Sequence, residues 1–291
     1  MKNNHQKMNH RAFLVLCFLM MLACNHTDES IPQIPSSTIL HQLLNNYSLL
    51  PEEAITVNSD STVFAQYTKP TEKYTHGILG DRIEAEQLIV VVDGQFYEHS
   101  LPDDFVFEDI RPRLYDVDQD GQLEFITIRT EVSRGAGIAI FKIINGQLLE
   151  YAHVEEIGLP SRWLNIITVD DLDQDGINEI AWIQTPHIGG ILKVAKINPG
   201  VLQVLAEQQQ YSNHAIGDRN LCLSVLTQQA NEKVVYVPNQ TGTNITGFTF
   251  SNNEWSIQEV IDQAVDFSEP LNGQYTFDNV IEDKVNCIDP G

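Results

Sequence analysis

Two nine-residue stretches hold the densest chemistry in the chain: Asp116-Val-Asp-Gln-Asp-Gly-Gln-Leu-Glu124 and Asp171-Leu-Asp-Gln-Asp-Gly-Ile-Asn-Glu179. In both, acids stand at positions one, three, five and nine, with glycine at six. Calcium takes roughly six to eight hard oxygen ligands, and a tight loop with side chains on alternate residues aims three carboxylates at one point. Gly121 and Gly176 supply the positive-φ turn that a residue with a Cβ resists. Position seven, Gln122 or Ile177, offers a backbone carbonyl, since isoleucine has no other oxygen. Glu124 and Glu179 close the shell with water. The expectation is two calcium ions, one on Asp116, Asp118, Asp120, Gln122 and Glu124, the other on Asp171, Asp173, Asp175, Ile177 and Glu179. A plain acidic β-turn is the alternative; without a cation its carboxylates repel one another, and two matching copies weigh against it.

The loops begin like EF-hands but do not continue as such. An EF-hand places a bidentate Glu at position twelve and then enters a helix, whereas Thr127 and Trp182 stand there and β-rich sequence flanks both loops. The loops start 55 residues apart, at 116 and 171, close to a four-stranded blade of about 40–50 residues plus a longer loop. The residues after each loop match as well: a strand, a glycine turn (Gly135-Ala-Gly137; Gly189-Gly190), a strand, a turn, then Leu148-Leu-Glu-Tyr151 or Val201-Leu-Gln-Val204. Two degenerate copies are expected. Residues 221–237 carry Gln228-Gln229-Ala230-Asn231 in place of the acids, and residues 77–92 carry Asp81-Arg-Ile-Glu-Ala-Glu86. The lead-ins are alike: Tyr74-Thr-His-Gly-Ile-Leu-Gly-Asp-Arg82 matches Ser212-Asn-His-Ala-Ile-Gly-Asp-Arg219 with one gap, while Asp109-Ile-Arg-Pro-Arg-Leu114 and Pro160-Ser-Arg-Trp-Leu164 precede the acidic loops.

The elements that must position these loops are strands. Residues 87–93, 123–129, 138–144, 179–184, 191–197 and 233–237 are rich in β-branched and aromatic residues, punctuated by Asp93-Gly94, Asn145-Gly146 and Pro199-Gly200. One helix is expected over Ser37–Leu50, where Ile39, Leu40, Leu43, Leu44, Tyr47 and Leu50 recur at helical spacing. A repeated β unit buries both faces only by stacking on its copies, and blades closed around an axis do this. The fold class is therefore all-β, a propeller of about five blades, roughly four to seven, after a short N-terminal helix or extended segment. It spans residues 61–285, with 24–60 as linker and 286–291 as tail. A fifth unit would be built jointly from residues 31–70 and 255–285. A pair of β-sandwiches is the competing architecture.

The acidic loops resemble the D-x-D-x-D-G-x-x-[DE] segments of FG-GAP/VCBS-type repeats, found in integrin α-subunit propellers and many bacterial surface proteins. The likeness covers residues 110–205 well and the flanking units weakly. It implies a propeller whose calcium loops stiffen blades, and it carries over to the ten loop positions named above. The Phe-Gly and Gly-Ala-Pro elements of the integrin repeat are absent, so adhesion to matrix ligands is not implied.

Loops leading from one blade into the next gather near one mouth of the axis. His76, Arg113, Arg162, Trp163 and His214 are expected to converge there with His187 nearby, selecting a small anionic or carbohydrate ligand through charge-assisted bonds and stacking. The alternative is that each satisfies a local carboxylate or carbonyl. An enzyme, a propeller-type hydrolase or lyase acting on an acidic glycan, is the second functional reading, and three histidines can make a zinc site. No catalytic signature such as Gly-x-Ser-x-Gly or His-Glu-x-x-His is present, so binding or scaffolding at the cell envelope is favoured.

Residues 1–24 carry Lys2, Lys7 and Arg11, then an apolar run from Ala12 to Ala23, then Cys24. That is the order of a secretory signal, and the run is shorter than the ~20 residues a spanning helix needs. Met21-Leu22-Ala23-Cys24 resembles the lipobox of bacterial lipoproteins, with Met21 where Leu is usual and Leu22 where a small residue is usual. The resemblance implies lipidation at Cys24 as the one membrane contact and, with Asn25 rather than Asp next, an outer-membrane destination. An ordinary signal peptide cut nearby is the alternative. The formal charge of −23 becomes about −26 once the three basic residues are removed, which argues against nucleic-acid partners. Envelope proteins or anionic glycans are the expected partners. Export leaves Cys222 and Cys287, which either pair in an oxidising compartment or, for Cys222, form a buried thiol.

Overall fold

The computed structural model describes residues 36–51 and 55–281, all within the unit Ile34–Gly291. The expected signal segment, Cys24, Cys287 and the C-terminal tail lie outside the described residues. Helix α1 (Ser36–Asn46) ends earlier than the apolar spacing suggests. Two asparagines, poor helix formers, stand at its end, and the chain turns so that Leu49 bridges to Thr68. Ile39 and Leu43 are its buried face.

Everything else of size is antiparallel β-structure in four meanders. Unit 1 is β1 (Thr56–Val57), β2 (Val63–Thr71), β3 (Glu84–Val92) and β4 (Gln95–Ser100). A three-residue strand, β5 (Phe105–Phe107), then bridges forward. Unit 2 is β6 (Arg113–Tyr115), β7 (Glu124–Glu131), β8 (Gly135–Ile144) and β9 (Gln147–Val154). Unit 3 is β10 (Leu164–Asp170), β11 (Glu179–Gln184), β12 (Ile191–Lys196) and, beyond β13 (Gly200–Val201), β14 (Val204–Gln209). Unit 4 is β15 (Val225–Gln229), β16 (Glu232–Pro238), β17 (Ile245–Ser251) and β18 (Glu254–Ile261). Because β5 pairs with both β3 and β7, units 1 and 2 merge into one ten-stranded sheet. β13 adds parallel to β9, so unit 3 grips the outer strand of unit 2.

The units pack face to face in chain order. One apolar cluster, around Tyr67, Leu88, Phe107, Phe125 and Phe141, joins units 1 and 2. A second, around Ile126, Ile138, Trp163, Ile166 and Trp182, joins units 2 and 3, and a third, around Ile183, Val194, Val235 and Phe248, joins units 3 and 4. Middle strands are therefore covered on both faces, which is why β3 and β11 read as unbroken apolar runs rather than alternating ones. The outer face of unit 1 is covered by α1. That of unit 4 is covered by Leu271, from a short turn of helix α2 (Leu271–Gln274), with Tyr275 and Phe277 packed against it. The expected joint fifth unit is corrected on this point: residues 63–71 pair within unit 1 and residues 254–261 within unit 4, and among the described residues the two ends do not pair.

A meander places its turns alternately at two ends. Turns between first and second strands fall at 58–62, 116–123, 171–178 and 230–231, here called the turn end. Loops between second and third strands, and all connections between units, fall at the other, the loop end. Asp81–Glu86 accordingly does not match the acidic loops, since it leads from β2 into β3. The true counterpart in unit 1 is Asn58–Thr62, which β1, two residues long, hides from any periodicity search. Residues 228–231 do occupy the matching place in unit 4.

Candidate metal centres

Both acidic loops adopt one conformation. Asp116 accepts the amides of Asp120 and Gly121 at 3.0 Å each, and Asp171 those of Asp175 and Gly176, also at 3.0 Å. Asp120 and Asp175 accept from the amide two residues on, at 2.9 and 3.0 Å. Position four is left-handed in each, Gln119 at φ 59° and Gln174 at φ 58°, as is position six, Gly121 at φ 86° and Gly176 at φ 88°. A Cβ on either glycine would meet nothing, so backbone conformation and not space demands glycine there.

The two carboxylate oxygens at position nine divide their labour. One oxygen, Oε2, accepts the amide of position two, Val117 or Leu172, at 2.8 Å. The other, Oε1, is fully buried without a hydrogen bond, and carboxylate oxygens from positions one, three and nine converge. Those trios are Asp116, Asp118 and Glu124, and Asp171, Asp173 and Glu179, each within 4.8 Å of one another. Asp120 and Asp175, also expected as ligands, fall outside the trios; their oxygens hold the loop backbone and a lysine.

That lysine is what sequence reasoning missed. β7 and β8 pair so that Phe125 faces Phe141, which sets Lys142 beside Glu124, and Glu179 faces Lys196 directly. Lys142 Nζ lies 2.7 Å from Asp118, 2.8 Å from Asp120 and 2.9 Å from Glu124 Oε1. The last contact is close but too poorly aligned to be a hydrogen bond. Lys196 bonds Asp175, stands 3.2 Å from Asp173 and 3.7 Å from Glu179. The signal was present in the repeat: Phe141-Lys142-Ile143 and Ala195-Lys196-Ile197 occupy equivalent places in their third strands.

Burial raises the Glu124 carboxyl above its usual range and carries Glu179 to about 7. Lys142 and Lys196 shift upward, because bonds to the carboxylates outweigh the opposing effect of burial. The lysine bonds in turn hold Asp120 and Asp175 below the ordinary aspartate range. The donors fit calcium: hard carboxylate oxygens, one of them buried without a hydrogen bond, in a cluster that already attracts a lysine.

The loops are also tied to one another. Gln119 donates to Gly176 O at 3.2 Å, and Asn178 donates to Val117 O at 3.0 Å and Asp116 O at 3.3 Å. Gln174 reaches Asn231 O, while Lys233 bonds Asp170 at 2.7 Å and Asp171 O at 2.9 Å.

At the loop end the expected mouth is only partly assembled. Arg113 is buried beneath it, bonded to Asp109 at 2.7 Å; Asp109 Oδ2 also accepts from Tyr67 at 2.9 Å and the Ile128 amide at 3.0 Å. Trp163 is buried and donates to Glu108 O at 2.9 Å. His214 is buried too, 4.7 Å from Trp163 by ring centroids. Arg113, Trp163 and His214 are buried, each filling a seam between units. His76, Arg162 and His187 remain partly exposed. His76 Nδ1 meets Glu108 Oε1 at 2.6 Å, and Thr130 donates to Glu108 Oε2 at 2.7 Å. Arg162 donates to Ser161 O at 2.8 Å.

His187 Nε2 and His214 Nδ1 are 3.0 Å apart, and His214 Nε2 is 2.9 Å from Asp218 O. A carbonyl only accepts, so His214 carries its proton on Nε2, and its Nδ1 accepts a hydrogen bond from His187 Nε2–H. Burial pulls both down to about 4, keeping them neutral. Among the described residues the three histidines do not gather as a metal group; only the acidic trios do. The matching segments at 74–82 and 212–219 touch: Gly217 N donates to Ile78 O at 2.9 Å, and Arg219 meets Asp81 at 3.3 Å. Their likeness reflects a shared Asx turn, Asp81 to Ile83 N and Asp218 to Asn220 N. Cys222 is disulfide-bonded, while Cys287 lies outside the described residues.

No family model and no curated protein matches the chain. Among solved structures it is similar to the exotype rhamnogalacturonan lyase YesX at 14% identity and TM-score 0.36, covering 74% of this chain and 51% of that one. The Bacillus licheniformis rhamnogalacturonan lyase is similar at 12% and 0.36, with 74% and 53% covered. The Bacteroides thetaiotaomicron endo-arabinase is similar at 10% and 0.34, with 76% and 84% covered. The chain spans about half the length of the lyases, and likeness at this level carries no argument about chemistry.

Proposed function

We propose that this chain is a calcium-stabilised repeat module of the FG-GAP/VCBS type, its four meanders acting as propeller blades, exported and held at the outer membrane through lipid on Cys24. It serves there as a binding or scaffold module. The observation that carries this reading is the twin acidic loop with its converging carboxylate trio and a buried glutamate oxygen that makes no hydrogen bond. Extracellular modules hold calcium at about 10⁻⁴–10⁻³ M, so the ions stiffen the turn end in a calcium-rich medium. Chelation should lower the melting temperature, and Asp118→Ala with Asp173→Ala should abolish that sensitivity. An unchanged wild-type melt with chelator would remove the reading.

The ligand surface, on this reading, is the exposed remainder of the loop end: His76, Arg162 and His187. Among the described residues Arg162 has no carboxylate partner, and a small anionic glycan suits such a surface. His76 also favours a second reading, an enzyme on acidic glycans, since a buried carboxylate engages its Nδ1 while the side chain stays partly exposed. Uronate oligosaccharide binding that survives His76→Ala with Arg162→Ala would contradict the ligand surface. Turnover lost in His76→Ala alone would select the enzyme.

A further inference from the structure

We infer that Lys142 and Lys196 are resident counter-cations which calcium must expel, so that each acidic loop is a lysine-for-calcium exchange site. This rests on the calcium reading above and adds what limits it. In loop 1 the ammonium stands 2.7 Å from Asp118 and 2.9 Å from Glu124, two of the three members of the converging trio, and 2.8 Å from Asp120 beside it, whereas calcium takes carboxylate oxygens at about 2.3–2.6 Å. Two cations cannot share that point. Register places each lysine: Lys142 stands beside Glu124 and Lys196 opposite Glu179, one strand over and at the same height. Two units therefore repeat not only the acids but the cation that neutralises them.

The arrangement lets the fold tolerate loss of calcium. A trio of carboxylates with two buried oxygens would repel itself, and the lysine removes that repulsion while calcium is absent. When calcium arrives, the flexible four-carbon stem lets the ammonium swing to water without disturbing the strand. The two sites are not equal. Lys142 is within 2.9 Å of three carboxylates, two trio members among them, and 5.4 Å from the Tyr151 ring, whereas Lys196 bonds Asp175 outside its trio and stands 3.2 Å from Asp173 and 3.7 Å from Glu179 within it. Loop 2 should exchange first.

Calcium titration by calorimetry, with wild type, Lys142→Met and Lys196→Met, tests this. Each variant should bind calcium about tenfold or more tightly at its own loop, since a charge-assisted competitor is gone, and should melt lower than wild type in chelator. Equal affinities in wild type and variants would overturn the exchange while leaving calcium binding intact. No binding in any of the three would overturn both. A wild-type measurement guards against a variant that fails to fold: amine acylation mapped by mass spectrometry should rise at Lys142 and Lys196 when calcium is added. Unchanged labelling under saturating calcium would also overturn the exchange.

Discussion

At the turn end, Glu124 and Glu179 meet a lysine on the adjacent strand and an open, solvent-facing loop. At the loop end, Glu108 and Asp109 are sealed under His76 and Arg113, with tyrosine, threonine and amide donors completing their shells. Both ends place carboxylates against cations, yet the surroundings separate their roles. A cation that reaches from a flexible stem into a part-exposed loop can be exchanged. One locked between packed units, in low dielectric and with every oxygen engaged, cannot leave without breaking the seam. The acidic loops can therefore take a soluble ion in exchange for the lysine, whereas the buried pairs cannot.

That contrast can be broken most severely at Asp109. Asp109→Ala removes the buried carboxylate that accepts from Arg113, Tyr67 and the Ile128 amide and should cost about 3–5 kcal/mol in urea unfolding; a cost no greater than that of a surface substitution would show the loop end to be as forgiving as the turn end. The histidine pair comes next. His187 and His214 protonate in the fold only near pH 4, whereas the unfolded chain takes up protons near 6.5. The unfolded state then holds more protons between those values, so stability is complete above about pH 6.5 and is lost as pH falls toward 4. For buried His214 the loss is on the order of 3 kcal/mol, and His214→Gln should flatten the slope in pH-dependent melts. Smaller still is the turn-end lacing. Asn178→Ala removes bonds to two loop 1 carbonyls, should cost about 1–2 kcal/mol, and should weaken calcium at loop 1 more than at loop 2. Ile177→Gln, at a side chain 47% exposed, should change stability by no more than about 0.5 kcal/mol; a larger effect would mean that position seven acts through its side chain.

The same contrast explains what was legible in the sequence. Each acidic loop places its conformation and its convergent trio within nine residues, so type and spacing alone announced it. The strands too were readable, because covered middle strands such as β3 and β11 leave unbroken apolar runs. The partners at the loop end lie far apart along the chain: His76 and Glu108 by 32 residues, His187 and His214 by 27. Spacing said that these residues share an end, but not that Trp163, Arg113 and His214 would be consumed in packing it. Elements of two or three residues, β1 and β5, carry no period, so sequence pattern alone misaligns the first unit and does not show the bridge between units 1 and 2. Lys142 and Lys196 lay between these extremes, visible once the repeat is extended through its third strand.

Native mass spectrometry of the folded protein in calcium tests the cage most directly. Two bound calcium ions are expected, one lost in Asp118→Ala and the other in Asp173→Ala. A spectrum without specific calcium adducts, or with adducts indifferent to both substitutions, would contradict the account.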